Sequence, residues 1–181
     1  MPSPRYALVT HVHGPAAEFV EKLQRDLHPE IPRLAAHLTV LPPRMLRGTE
    51  DEALQVVADI CRQSAPFELA LGGVETFLPV TPTVYVRVEH AAEQMHLLHD
   101  QLNTQALACT EEWVYVPHLT IMKMETAPQA EQVLTIARER WAAYDGSRNI
   151  FVEELTFVRE ESKNCWVDLA PVPLGRSLVS R

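Results

Sequence analysis

The stretch Val116–Lys123 reads VPHLTIMK, and its centre, His118-Leu119-Thr120-Ile121, has one earlier counterpart. That counterpart is His37-Leu38-Thr39-Val40, inside AAHLTVLP at residues 35–42. The chain has 8 histidines in 181 residues. Random placement at this composition yields on the order of 0.06 His-Leu-Thr triplets, so a repeated triplet with an aliphatic after each copy is a signal. Side chains alternate along a strand. His37, Thr39 and Leu41 would share one face, with Leu38 and Val40 on the other. Likewise His118, Thr120 and Met122 would oppose Leu119 and Ile121. The apolar pairs suit a helix-covered face. The His and Thr pairs would then point into an open space.

Working outward from the motifs, the order of elements repeats. RYALVTHV (Arg5–Val12) reads as a strand and residues 14–29 as a helix opened by Pro15. AHLTVL (Ala36–Leu41) is a strand, Glu50–Ser64 a helix, and Phe67–Leu78 a strand bent or bulged at Gly72-Gly73. Then come a strand at Thr83–Glu89, a helix at Ala91–Asn103, a strand at Trp113–Lys123 and a helix at Pro128–Tyr144. Strands at Ile150–Val158 and Cys165–Val172 close the chain. The motif histidines lie 81 residues apart, and that offset brings the first strand and helix onto the second set. The expected fold is α+β. One bilobal domain covers 1–181, a pseudo-two-fold duplication with halves of about 1–81 and 82–181. Two mainly antiparallel sheets face a central cleft, with helices outside.

Bulk properties narrow the functions. Hydrophobic residues make up 46% and charged residues 22%, as in an ordinary globular protein. A net charge of −8 argues against a protein that grips long nucleic acid, but not against a small phosphorylated ligand. No apolar run reaches membrane-spanning length, and the N-terminal sequence lacks a basic-then-apolar signal region. A cytoplasmic protein without a membrane partner is expected, working as a monomer. Cys61, Cys109 and Cys165 fit no disulfide or zinc-ribbon pattern and read as small buried thiols.

The motif residues suit phosphodiester chemistry. A histidine titrates near pH 6.5, so one ring can accept a proton while another donates one. Two threonine hydroxyls can donate to the two anionic non-bridging oxygens of a phosphodiester.

In these residues the chain resembles the 2H phosphoesterases, named for two His-x-Thr/Ser-x motifs, which include 2′-5′ RNA ligase-like proteins and cyclic phosphodiesterases. The matching stretches are RYALV, HLTV, PFELALGGVETF, VYVRVE, VPHLTI and LTFV…WVDLAPVPLG, in the family's order. ETFLPVTPTVYVRVE followed by YVPHLTI is also similar to a small bacterial subgroup of YjcG-like proteins. The resemblance implies metal-independent phosphoesterase activity without a cofactor. His37 and His118 would be the catalytic pair, and Thr39 and Thr120 would hold the phosphate. The implied substrate is a small nucleotide or RNA end carrying a 2′,3′-cyclic phosphate or a 2′-5′ linkage, with 2′-5′ RNA ligation as the reverse reaction. The alternatives are a non-catalytic module that binds nucleotides or RNA ends, and a zinc-dependent hydrolase.

Further candidates surround the motifs. Tyr85 and Arg87 share the strand face expected to line the cleft, where Arg87 could balance phosphate charge and Tyr85 could stack on a base. Trp166, in the last strand, is a candidate wall for a base pocket, with core packing as its other reading. Lys123 has the parity of Leu119 and Ile121, so an unbroken strand turns it away from the cleft. His11 and His13 have a spacing that can bind metal, but no carboxylate lies near them in sequence. No metal site is expected. His96 and His99 read as a solvated helix face, and His28 and His90 as loop residues.

Overall fold

A computed structural model describes residues 3–30 and 35–175. In chain order the elements are β1 (Tyr6–His11), α1 (Pro15–Leu27), β2 (His37–Arg44), α2 (Glu50–Gln63), β3 (Phe67–Thr76), β4 (Thr83–His90), α3 (Ala92–Leu102), β5 (His118–Lys123), α4 (Ala127–Ala142), β6 (Asn149–Val152), β7 (Glu154–Ser162) and β8 (Cys165–Pro173). A single 3-10 turn, Gln105–Leu107, follows α3.

Local chemistry starts the helices. Gly14, at φ 88°, turns the chain into α1, and Pro15 occupies its first turn. Reciprocal capping boxes open α2 and α4. Thr49 Oγ1 accepts from the Glu52 amide at 3.2 Å while Glu52 Oε2 accepts from the Thr49 amide at 2.8 Å, and Thr126 and Gln129 repeat the device.

The strands form one curled antiparallel sheet in the order β6-β3-β4-β5-β2-β1-β7-β8. The two four-stranded halves meet edge to edge at the motif strands, where Leu38 pairs with Leu119. The expected pair of sheets is thus joined at that seam into one continuous curled sheet. Strand pairing does not follow the division of the chain near residue 81. β3 lies between β4 and β6, whereas β7 and β8 extend the sheet from β1. The helices interlock the halves too, since α1 packs on β5 and α3 on β2. Gln24 of α1 donates to the Ile121 carbonyl at 2.7 Å.

Three expectations change. The strand anticipated at Ile150–Val158 is divided at Glu153, with β6 pairing on β3 and β7 on β1. One residue spans roughly 7 Å between its neighbours' Cα atoms, so the two ends of the sheet must curl close together there. The strand anticipated from Trp113 begins only at His118. Pro117 has no N–H for a ladder, Val114 is exposed, and Tyr115 turns inward. Of the cysteines, only Cys61 is buried, and burial pushes its thiol up to about 12.

Candidate active site

Both motif strands obey the alternation through the threonine. Leu38, Val40, Leu119 and Ile121 are buried in the helix-side core, while His37, Thr39, His118 and Thr120 are half-exposed on the other face. An antiparallel register through Leu38 and Leu119 sets His37 across from Thr120 and Thr39 across from His118. A local two-fold axis therefore passes through the leucine pair. The four polar residues surround it as two crossed His/Thr pairs.

After the threonine, both strands break the alternation in the same way. Val9 pairs with Thr39 but Leu8 with Leu41, which leaves Val40 as an extra residue. Tyr85 pairs with Thr120 but Val84 with Met122, which leaves Ile121 as an extra residue. Each is a bulge at the last motif position. Leu41 and Met122, expected beside the histidines, are consequently buried in the helix-side core. The second bulge also corrects the reading of Lys123, which lines a cavity together with His37 and Thr120. A one-residue slip reverses the face of everything after it.

The two histidines are held identically. His37 Nδ1 donates to the Ala35 carbonyl at 2.8 Å, and His118 Nδ1 to the Val116 carbonyl at 2.6 Å. A carbonyl can only accept, so each Nδ1 carries the proton and each Nε2 is left for chemistry. The surroundings then differ. Phe77 and Tyr85 both meet the His118 ring edge-on, at centroid distances of 4.9 and 5.1 Å. Burial lowers the pKa of His118 below the ordinary histidine value; the Val116 carbonyl opposes that shift and the nearby His37 adds to it.

The outer candidates have varied roles. Tyr85 is buried, stacked on Phe77 at 4.1 Å, so no face is free for a base and its contact is with His118 itself. Arg87 lies across from His118 but forms ion pairs with Glu75 at 3.3 Å and Glu89 at 2.8 Å. Gly72 makes room for this cluster, since a Cβ there would stand 2.9 Å from that of Glu89. Trp166 packs beside Ala7, Val9 and Val158 on the cleft side, and its partly exposed ring lines the same cavity as His37.

Sequence reasoning missed two features. His11, next to His37 in register, is paired at 3.2 Å with Asp168, a carboxylate 157 positions away. His99 is buried, not solvated. It bonds Glu111 and stacks on Tyr115, whose hydroxyl donates to the Thr39 carbonyl at 2.8 Å. Among the described residues, no three His, Cys, Asp or Glu side chains converge as a metal-binding set.

A curled antiparallel sheet thus carries two oriented, crossed His/Thr pairs on the face away from the helices. The chain belongs to the 2′-5′ RNA ligase superfamily, whose family model matches residues 12–164. It is 28% identical over 118 residues to a Halalkalibacterium halodurans protein whose name assigns it as a phosphoesterase, covering 64% of this chain and 68% of that one. A similarly named protein of Bacillus pumilus is 25% identical over 133 residues, covering 72% and 76%. In fold the chain is similar to a crystal structure of a phosphoesterase, with a TM-score of 0.65 at 17% identity, covering 97% of this chain and all of that one. It is also similar to Escherichia coli LigT complexed with NADP+, with a TM-score of 0.61, 17% identity and the same coverage.

Proposed function

We propose that the protein is a metal-independent phosphodiesterase acting on a small or RNA-terminal phosphodiester, a 2′,3′-cyclic phosphate or a 2′-5′ linkage. The observation that carries this reading is the matched pair of imidazoles, each locked by an Nδ1–H···O=C bond with Nε2 left for proton transfer. His118, favoured neutral by its burial, is the base. Its Nε2 takes a proton from water as the water oxygen bonds to phosphorus. His37 gives its Nε2 proton to the departing ribose oxygen as the P–O bond breaks. The Thr39 and Thr120 hydroxyls donate to the non-bridging oxygens, whose charge rises in the transition state. With a 5′-hydroxyl in place of water, the same proton transfers form a P–O5′ bond as the P–O3′ bond of the cyclic phosphate breaks, which leaves a 2′-5′ linkage and a free 3′-hydroxyl. E. coli LigT has been crystallised with 3′-AMP, a phosphomonoester of the kind such hydrolysis would release, which supports nucleotides as first substrates to try.

The test is incubation with 2′,3′-cyclic nucleotides and with 2′-5′-linked dinucleotides, with and without EDTA, followed by chromatography for the new phosphomonoester. Product that persists in EDTA is expected. Binding without product would leave a nucleotide-binding module, and loss on chelation with rescue by zinc would leave a metal-dependent hydrolase.

The pH profile should be bell-shaped. A base must be neutral to act. Because the His118 pKa is lowered, the acid limb should fall below the ordinary histidine value of about 6.5. Phe77→Ala uncovers the ring and relieves the burial that lowers its pKa. The acid limb of kcat/KM should then move to higher pH, toward about 6.5. An unmoved limb would mean that Phe77 does not set this titration.

A further inference from the structure

The two sides of the pseudo-symmetric site are not equally open. Beyond His118 stand Phe77, Tyr85 and the Arg87 ion pairs. Beyond His37 lies a cavity of about 680 Å³ whose walls include His37 and Thr120 but neither His118 nor Thr39. Pockets of roughly 300–1,000 Å³ accept ligands of nucleotide size. Trp166 gives this one an aromatic wall. Arg25 of α1, Lys123 of β5 and Lys163 of the β7–β8 turn also line it. All three are exposed, and none forms a salt bridge among the described residues. Among the described residues, Glu125 is the one carboxylate in its lining. Three unpaired cations in one cavity, on a chain of net charge −8, exceed what a single scissile phosphate held by two threonines needs.

We propose that this cavity binds the body of the substrate and a second phosphate, so that the substrate class is a nucleotide carrying a further phosphate beyond the scissile one. The inference rests on the phosphodiesterase reading for the identity of the scissile group. The nucleoside lies against Trp166, on the side where His37 protonates the leaving ribose oxygen. Arg25, Lys123 and Lys163 take the additional phosphate. The side packed by Phe77, Tyr85 and the Arg87 ion pairs is left to His118 and the attacking water rather than to the nucleoside. The further phosphate can be a 5′-phosphate on the same nucleoside or the preceding linkage of an oligonucleotide.

Binding tests this without turnover. Calorimetry on the wild-type protein compares adenosine 3′-monophosphate with adenosine 3′,5′-bisphosphate and with a dinucleotide bearing a terminal 3′-phosphate. The ligands with the second phosphate should bind about tenfold more tightly, as a charge-assisted contact in a solvent-reached cavity allows. The advantage should shrink as salt rises. Lys123→Glu and Lys163→Glu should each bring the affinity ratio toward one, whereas Arg62→Glu, on a helix that contributes nothing to the cavity, should keep it. If the bisphosphate alone gains, the 5′-phosphate is the group read; if the dinucleotide alone gains, the preceding linkage is. Equal affinity for all three ligands, or a ratio untouched by both lysine reversals, overturns the proposal. A tenfold preference in a protein that turns over no cyclic phosphate would retain this site and reject the catalytic reading.

Discussion

His118→Ala and His37→Ala should each lower phosphodiester turnover by about 10²–10⁴-fold while the protein stays folded. Both side chains lie on the half-exposed face, and neither belongs to the helix-side core. Circular dichroism and thermal melting should therefore show a native-like fold in both variants. The double variant should lose little beyond the worse single one, because each proton transfer is useless without the other. The two roles can be separated by the leaving group. A substrate that releases a nitrophenolate needs little protonation, so it should restore much of the rate to His37→Ala and little to His118→Ala. Rescue in the opposite order would exchange acid and base. Wild-type rates in either single variant on the ribose substrate would remove that histidine from the mechanism.

Arg44→Ala should be the most damaging substitution away from the chemistry, destabilising the fold by about 3–5 kcal/mol. The Arg44 side chain is buried, and its guanidinium forms an ion pair with Glu111. It also donates to the Pro42 carbonyl at 3.0 Å, to Asn103 at 2.8 Å and to the Leu107 carbonyl at 3.0 Å. Removing it leaves Glu111, among the described residues, with His99 alone, and takes the side-chain donor from the Pro42 and Leu107 carbonyls, whereas Asn103 keeps the Cys109 amide. The same cluster supports Tyr115, which reaches the Thr39 carbonyl, so turnover per folded molecule should fall as well. Urea unfolding measures the first effect and active-site-normalised rates the second. A variant as stable as wild type would show that the network is solvated enough to dispense with Arg44.

The contrast between these variants follows what the chain discloses. The histidines could be found because their surroundings are local. A His-Leu-Thr-aliphatic strand carries its own alternation, and the second copy repeats the same instruction. Arg44, His99 and Glu111 could not be found that way. Their partners come from β2, α3 and the segment after the 3-10 turn, and nothing in the spacing of a lone buried histidine names a carboxylate twelve residues on. The solvated face anticipated for His99 was the ordinary reading of its helix position.

Lys123 marks the limit of pattern reading most sharply. The rule that placed Thr120 toward the cleft turned Lys123 away, and a single extra residue at Ile121 reverses the outcome. A bulge costs one ladder position and leaves no compositional trace when the residues around it are apolar on both sides. Tyr85 was assigned to the right face, but packing under Phe77 makes it a support for His118 rather than an open platform.

By itself, the sequence determined the α+β class, the duplicated order of elements, and the convergence of two histidines and two threonines, because helix and strand periodicities are set by neighbouring residues. The tertiary structure alone decided that β3 and β7 exchange sides and that the motif strands meet at Leu38 and Leu119. It also decided that one flank of the site is packed with aromatic rings while the other opens onto cations. Those outcomes depend on contacts between residues far apart in the chain, where sheet register, bulges and burial are settled by packing rather than by local preference.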